Sequence, residues 1–281
     1  MAVESDGLWP HQQAALARLA PLPAGALWAG LGSGKTRVAL EMVRARHLDR
    51  VLVLAPKAVV QQWGEQAERW LPEYPVLTLE GGTVRRRVEQ LGAFERGIVA
   101  LNYDAILLGA MPKAIVAWRP EMLILDEVHK LKKPGGRRSW AIARLAAGVR
   151  YRLGMSGTPL AHSPLDAYAV YRALDRSIFG SSYAAFKQYY TEPCRWGAHD
   201  GVEVGPQQVE KQLKPGEMLG SMLRPYRFIN LDDLHRRMMS IAYQVRTRAV
   251  LELPPELDAV RTVSLEADAQ RIYRRMDKQL T

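Results

Sequence analysis

The chain of 281 residues has one cysteine, Cys194, and no apolar run long enough to cross a membrane. A single cysteine excludes an intramolecular disulfide and any cysteine-based metal cluster. The opening residues, Met1-Ala2-Val3-Glu4-Ser5-Asp6, are acidic, unlike a secretory leader. Internal repeats, low-complexity tracts, zinc-finger spacing and a helix-turn-helix pattern are also missing. Together these absences point to an intracellular globular protein that does not read DNA sequence through a known motif.

The hydrophobic content is 48%, ordinary for a chain with a sizeable core, and the net charge is +10. That charge suits a polyanion such as nucleic acid, although charge alone leaves a basic, non-binding surface open. Largely apolar runs of strand length recur at 26–29, 50–55, 76–79, 97–101, 121–125 and 151–155. Between them lie helical patterns at 59–71, 83–95 and 138–147. Apolar strands alternating with helices predict an α/β fold, a mainly parallel sheet sandwiched by helices. Beyond residue 165 the pattern changes. Tyr168–Leu174, Tyr183–Tyr190 and a basic stretch, Leu231–Ala249, read as helices, with a Gly/Pro/Gln-rich loop over Cys194–Gly216.

The densest chemistry lies in Gly30-Leu31-Gly32-Ser33-Gly34-Lys35-Thr36, between the first strand and a helix. Gly32 and Gly34 allow backbone N–H groups to approach a triphosphate, and the helix N-terminus adds partial positive charge. Lys35 is placed to reach the β/γ-phosphates, and the Thr36 hydroxyl to ligate Mg²⁺. A second cluster, Asp126-Glu127-Val128-His129, follows a buried strand, where ligands bind in parallel sheets. Asp126 is read as the Mg²⁺ carboxylate and Glu127 as the group that orients or deprotonates a water. A third strand runs into Ser156-Gly157-Thr158-Pro159, whose hydroxyls can bond the acidic loop.

These motifs, in this order, resemble superfamily-two helicases and translocases, and within them the Swi/Snf family. Leu8-Trp9-Pro10-His11-Gln12 resembles that family's adenine-recognition motif, which gives Gln12 the adenine. Ala55-Pro56-Lys57 through Trp63 resembles the motif near the DNA backbone, and Leu101-Asn102-Tyr103-Asp104 a later Thr-Tyr-Glu-like motif. Asp126 to Lys133 resembles the Asp-Glu-Ala-His box and its basic tail. Ser156 to Thr158, with His129, resembles the coupling motif. Arg246–Pro254, Ser264-Leu265 and Gln270-x-x-Tyr273 resemble the passage to a second lobe. Trp9, His11 and Val128 depart from the family's Arg, Tyr and Ala, and none of these changes removes a group the chemistry needs.

The resemblance implies a RecA-like ATP-binding lobe (1–175), a helical and loop extension (176–245) and a connector (246–281). ATP and Mg²⁺ are the implied cofactors. The implied partners are the backbone of DNA, in duplex form, and a second RecA-like lobe in cis or in trans. Lys57, Gln61, Lys130, Lys132, Lys133, Arg137 and Arg138 are the candidate phosphate contacts. Arg85-Arg86-Arg87 is read as a solvated helix face. Trp63 and Trp70 are read as packing residues, and so are Tyr189, Tyr190 and Trp196, with stacking on a base as the alternative for these three. The sequence ends where a second lobe would begin, so a first lobe cut from a longer assembly is expected. Such a lobe binds ATP·Mg²⁺ weakly and hydrolyses it slowly, because an arginine finger contributes about 10³–10⁵ in rate. A strand-separating helicase, a restriction-type translocase subunit and a nucleotide-gated DNA-binding module without motor activity remain as alternatives.

Overall fold

Each apolar run identified above becomes a strand. In the computed structural model, which describes residues 7–131, 133–160, 163–193, 226–245 and Ala269, these are β1 (Ala24–Ala29), β2 (Arg50–Ala55), β3 (Val76–Leu79), β4 (Gly97–Asn102), β5 (Met122–Asp126) and β6 (Tyr151–Ser156). All described residues except Ala269 belong to one compact unit, Met1–Leu251. Later come a short antiparallel pair, β7 (Thr191–Pro193) with β8 (Tyr226–Phe228), and β9 (Ala242–Val245). The main sheet has the order β3-β4-β2-β5-β6-β1-β9, and every neighbouring pair is parallel. Its register aligns Val53 with Ile124, Asp126 with Met155 and Leu27 with Met155. The carboxyl ends of β1, β5 and β6 therefore meet at one edge.

Strand alternation sends successive side chains to opposite faces, which creates two hydrophobic layers. Leu27, Ala29, Val51, Val53, Ala100, Ile124 and Met155 face α1 (Pro10–Leu19), α2 (Lys35–Arg46) and α3 (Val60–Trp70). Trp28, Leu52, Leu54, Val99, Leu123 and Leu125 share the other layer with buried residues of the remaining helices. Those are α4 (Val84–Ala93), α5 (Met111–Trp118), α6 (Arg137–Ala146), α7 (Asp166–Leu174), α8 (Tyr183–Tyr190) and α9 (Leu231–Ser240). Local chemistry starts several of them. Pro10 opens α1, Thr83 accepts the Arg86 N–H at the head of α4, and Ser182 accepts the Ala185 N–H at the head of α8.

Two sequence expectations change. The helix expected over Leu231–Ala249 stops at Ser240, the chain turns at Ile241, and Ala242–Val245 pairs with Ala26–Ala29 as a seventh strand. The open edge of β1 offers a row of backbone donors and acceptors. A short segment buried at both ends, Ala242 and Val245, satisfies them there, which a continued helix would leave unpaired. Within Arg85-Arg86-Arg87, only the first two are exposed. Arg87 is buried on the same helix face as Leu91, four residues on. The expected loop over Cys194–Gly216, Trp196 and the segments resembling the passage to a second lobe lie outside the described residues.

Candidate nucleotide-binding site

The loop between β1 and α2 turns through two left-handed glycines, Gly32 at φ +76° and Gly34 at φ +77°. A side chain at Gly34 would be strained by the backbone, and its Cβ would come within 2.1 Å of Gln12 Nε2. Gln12 is buried, and it ties α1 to the loop. Its Oε1 accepts the Trp9 N–H at 3.0 Å, and its Nε2 donates to the Ser33 carbonyl at 3.2 Å. His11 Nε2 donates to the same carbonyl at 2.9 Å, and Ser33 Oγ donates to the Gly30 carbonyl at 2.8 Å. Lys35 Nζ donates to the carbonyls of Ala29 and Gly30 at 2.9 and 3.1 Å. The loop is thus held from both flanks by side chains that the motif itself supplies.

Asp126 stands at the end of β5. Its Oδ2 accepts the Trp63 indole N–H at 2.9 Å, and its Oδ1 accepts the Glu127 backbone N–H at 3.0 Å. The Tyr103 hydroxyl donates to its carbonyl at 2.7 Å. Burial pushes the Asp126 carboxyl above the usual carboxylate range, and the nearby Glu127 charge adds to this. The Trp63 hydrogen bond and the Lys35 charge oppose it. Glu127 itself sits at φ +51°, a left-handed conformation costly for a residue with a side chain. Its side chain is held by Ser156 at the end of β6 and by His129. Ser156 Oγ donates to Glu127 Oε2 at 3.1 Å, and His129 Nδ1 lies 2.8 Å from Ser156 Oγ and 3.1 Å from Glu127 Oε2. Because the hydroxyl proton goes to Glu127, His129 Nδ1 is the donor toward Ser156. The Thr158 N–H also donates to Ser156 Oγ, at 3.0 Å, and Gly157 packs against Ala29 and Gly30.

A cavity of about 500 Å³ opens over these groups, lined by Gln12, Gly32, Gly34, Lys35, Thr36, Asp126 and Glu127, together with Trp9, Trp63, Arg37 and Trp70. Gly30 and Ser33 brace the loop from behind. The donor set fits a Mg²⁺ nucleotide. A hydroxyl and a partly buried carboxylate short of positive charge stand beside a glycine loop too tight for a Cβ, and Mg²⁺ in such sites takes one or two carboxylates plus phosphate oxygens. Among the described residues, no trio of His, Cys, Asp or Glu forms a separate metal site.

The candidate phosphate contacts divide into two sets. Lys57, in the turn ahead of α3, and Gln61, in its first turn, are exposed, as are Lys130 and Lys133 between β5 and α6 and Arg137 at the head of α6. Arg138 is paired with Asp104, so its charge already has a partner. Lys132 lies outside the described residues.

Residues 22–280 match the SNF2-related domain. The chain belongs to the SNF2-related domain family. It is 25% identical over 198 residues to the ISWI chromatin-remodeling complex ATPase ISW1 of Saccharomyces cerevisiae, covering 68% of this chain and 16% of that protein. It is 24% identical to Putative protein p41 of Acyrthosiphon pisum secondary endosymbiont phage 1, covering 96% of this chain and 57% of that protein. The Sulfolobus solfataricus SWI2/SNF2 ATPase core in complex with dsDNA superposes with a TM-score of 0.63 at 16% identity, covering 88% of this chain and 46% of that one. The same ATPase core domain in another structure gives a TM-score of 0.61 at 15% identity, covering 96% and 50%. This SNF2-related chain therefore has the RecA-like α/β fold of a Swi/Snf ATPase lobe and spans about half the length of the solved cores.

Two residues of this SNF2-related lobe were read from sequence as packing and prove to line the site. Trp63 is buried as expected, yet its one polar atom bonds Asp126. Trp70 is half-buried, with the guanidinium of Arg37 at 4.3 Å and that of Arg69 at 4.6 Å from its ring. No sequence spacing announces either contact, since 63 residues separate Trp63 from Asp126. Tyr190 is buried, whereas Tyr189 is half-exposed.

Proposed function

We propose that this chain is the ATP-holding lobe of a DNA-dependent ATPase of the Swi/Snf type, a translocase on duplex DNA. The observation that carries the proposal is the convergence of Lys35, Thr36, Gln12, Asp126 and Glu127 on one cavity. Lys35 and the loop N–H groups take the β- and γ-phosphates. Gln12 keeps one N–H and one lone pair beyond its two bonds, a donor–acceptor pair suited to the adenine edge. Thr36 and Asp126 would hold Mg²⁺, which when bound neutralises the charge on the phosphate oxygens. Glu127 orients or deprotonates the attacking water. His129 and Ser156, which hold the Glu127 carboxylate, and the Thr158 N–H, which bonds Ser156 Oγ, link its position to the end of β6, with Gly157 packed on the glycine loop.

Lys57, Gln61, Lys130, Lys132, Lys133 and Arg137 contact the DNA backbone, with Arg138 joining them when Asp104 releases it. The surface is basic and the contacts are independent of sequence. A second RecA-like lobe, in cis or in trans, supplies the opposite wall, and the connector 246–281 leads to it. Residues 1–175 form the lobe proper and 176–245 its extension, with β9 returning to the sheet. The setting is intracellular and DNA-associated. Without the second lobe, hydrolysis is slow.

The test is equilibrium binding of a fluorescent ATP analogue to the chain with Mg²⁺, followed by ATPase assays on the two-lobe protein with duplex and single-stranded DNA. Binding by the chain, and stimulation by duplex in the two-lobe protein, support the reading. Vigorous DNA-stimulated turnover by residues 1–281 as a monomer, or no nucleotide binding, overturns it.

A further inference from the structure

Trp63 is buried to 2% exposure, and its only polar atom ends on a carboxylate oxygen in the nucleotide cavity. Its helix cannot shift easily. Gly64 brings α3 so close to β3 that a Cβ there would stand 2.8 Å from Thr78 Cγ2, and Val60 and Ala67 are fully buried on the same face. The indole therefore approaches Asp126 from a fixed direction. The carboxylate takes one N–H on each oxygen, from Trp63 on Oδ2 and from Glu127 on Oδ1. This sets the plane of the group and leaves a lone pair on each oxygen facing outward. The same α3 segment carries Gln61 two residues before Trp63, and Lys57 lies in the 3-10 turn just ahead of it, both exposed.

We propose that Trp63 is a positioning residue for the Mg²⁺ carboxylate Asp126, and that α3 thereby links a polyanion at Lys57 and Gln61 to the nucleotide site. The proposal rests on the nucleotide-site reading above. Partners that orient a metal ligand without touching the metal typically change metal affinity by about 10–100-fold when removed. A group whose only task was to fill the core would not discriminate between Mg²⁺-loaded and Mg²⁺-free nucleotide.

The experiment measures binding of a fluorescent ATP analogue to the 281-residue chain across a Mg²⁺ series and in EDTA, with and without a short duplex DNA. Trp63→Phe keeps most of the ring packing and removes the N–H. The expected result is a Mg²⁺ midpoint raised about tenfold, with affinity in EDTA unchanged. Duplex DNA should shift the midpoint of the unchanged chain and leave that of the variant in place. If Trp63→Phe lowers the melting midpoint, the benzothienyl isostere of tryptophan, with sulfur in place of N–H, replaces it in the same titration. A wild-type Mg²⁺ midpoint in a folded variant, or an equal loss with and without Mg²⁺, overturns the positioning role. No duplex effect on the unchanged chain overturns the link through α3. If the unchanged chain binds no nucleotide at all, the underlying reading falls and takes this inference with it, an outcome separate from the other two.

Discussion

The two faces of the sheet are built from the same strands but packed differently. On the α1–α3 face the buried filling is aliphatic apart from Trp63, and glycines at Gly34 and Gly64 bring elements within contact of Gln12 and Thr78. Every side chain proposed to touch nucleotide comes from that face or from the adjoining strand ends. The opposite face adds a cluster of aromatic rings to its aliphatic filling. Phe186 lies 5.2 Å from Tyr168, 5.0 Å from Phe179 and 4.7 Å from Tyr190, ring centroid to centroid. The Tyr190 hydroxyl reaches Asp233 at 2.8 Å and the Tyr171 hydroxyl reaches the Met238 carbonyl at 2.7 Å, fastening α9 to the core. Chemistry needs backbones brought close together and groups held in fixed directions, which small residues permit. Anchoring late elements needs buried area, which rings supply.

The largest expected effect tests whether the two faces are separable. Phe186→Ala should cost about 3–5 kcal/mol in denaturant unfolding, since it empties the centre of the aromatic cluster. Nucleotide affinity per folded molecule should stay the same, and a parallel loss of affinity would break the contrast. Lys35→Ala reverses the pattern. It removes a charge-assisted phosphate contact worth about 1.5–3 kcal/mol, weakening nucleotide binding roughly 10–100-fold while the melting midpoint holds. Gly34→Ala should do both to a smaller degree. The left-handed backbone costs about 1–2 kcal/mol, and the new Cβ displaces the Gln12 amide, so stability and binding fall together. Gly135→Ala, where no atom lies within 4 Å of the new Cβ, is the control.

The smallest effect lies at the rim of the aliphatic face. The hydrogen bond from Arg44 holds the Glu73 carboxyl below the usual carboxylate range. The pair therefore adds stability above the unfolded-state pKa, and loses it as the pH falls through the lowered folded value. Both partners are solvent-accessible, so Glu73→Gln should cost only about 0.2–1 kcal/mol near neutral pH. The difference from wild type should vanish in acid. A pH series of unfolding midpoints reads this directly, and a larger cost that persists in acid would show that Glu73 does more than pair.

Much of this molecule is legible in one dimension. Six parallel strands could be read because strands covered on both faces are largely apolar, and the glycine loop because glycine, lysine and threonine follow one another in the chain. The seventh strand could not be read. Ala242–Val245 is too short to outweigh the helical pattern before it, and only the open edge of β1 makes it a strand. Trp63 was legible as a buried residue but not as a bonding one. Its indole direction depends on how α3 lies against β3, and its partner is 63 residues away. Arg87 likewise follows its helix face inward against the reading of a charged run.

By itself, the sequence determined the fold class, the family and which residues make up the glycine loop and the acidic pair, because each depends on neighbouring residues or on strand periodicity. Only the tertiary structure decided which of them meet. The parallel register brings the ends of β1, β5 and β6 to one edge, so that the Ser156 hydroxyl reaches Glu127, a bond the motif order already offered, while α3 delivers Trp63 to Asp126, a bond it did not. Directed hydrogen bonds between distant segments depend on how helices and strands stack in space, and no local pattern of residues records that.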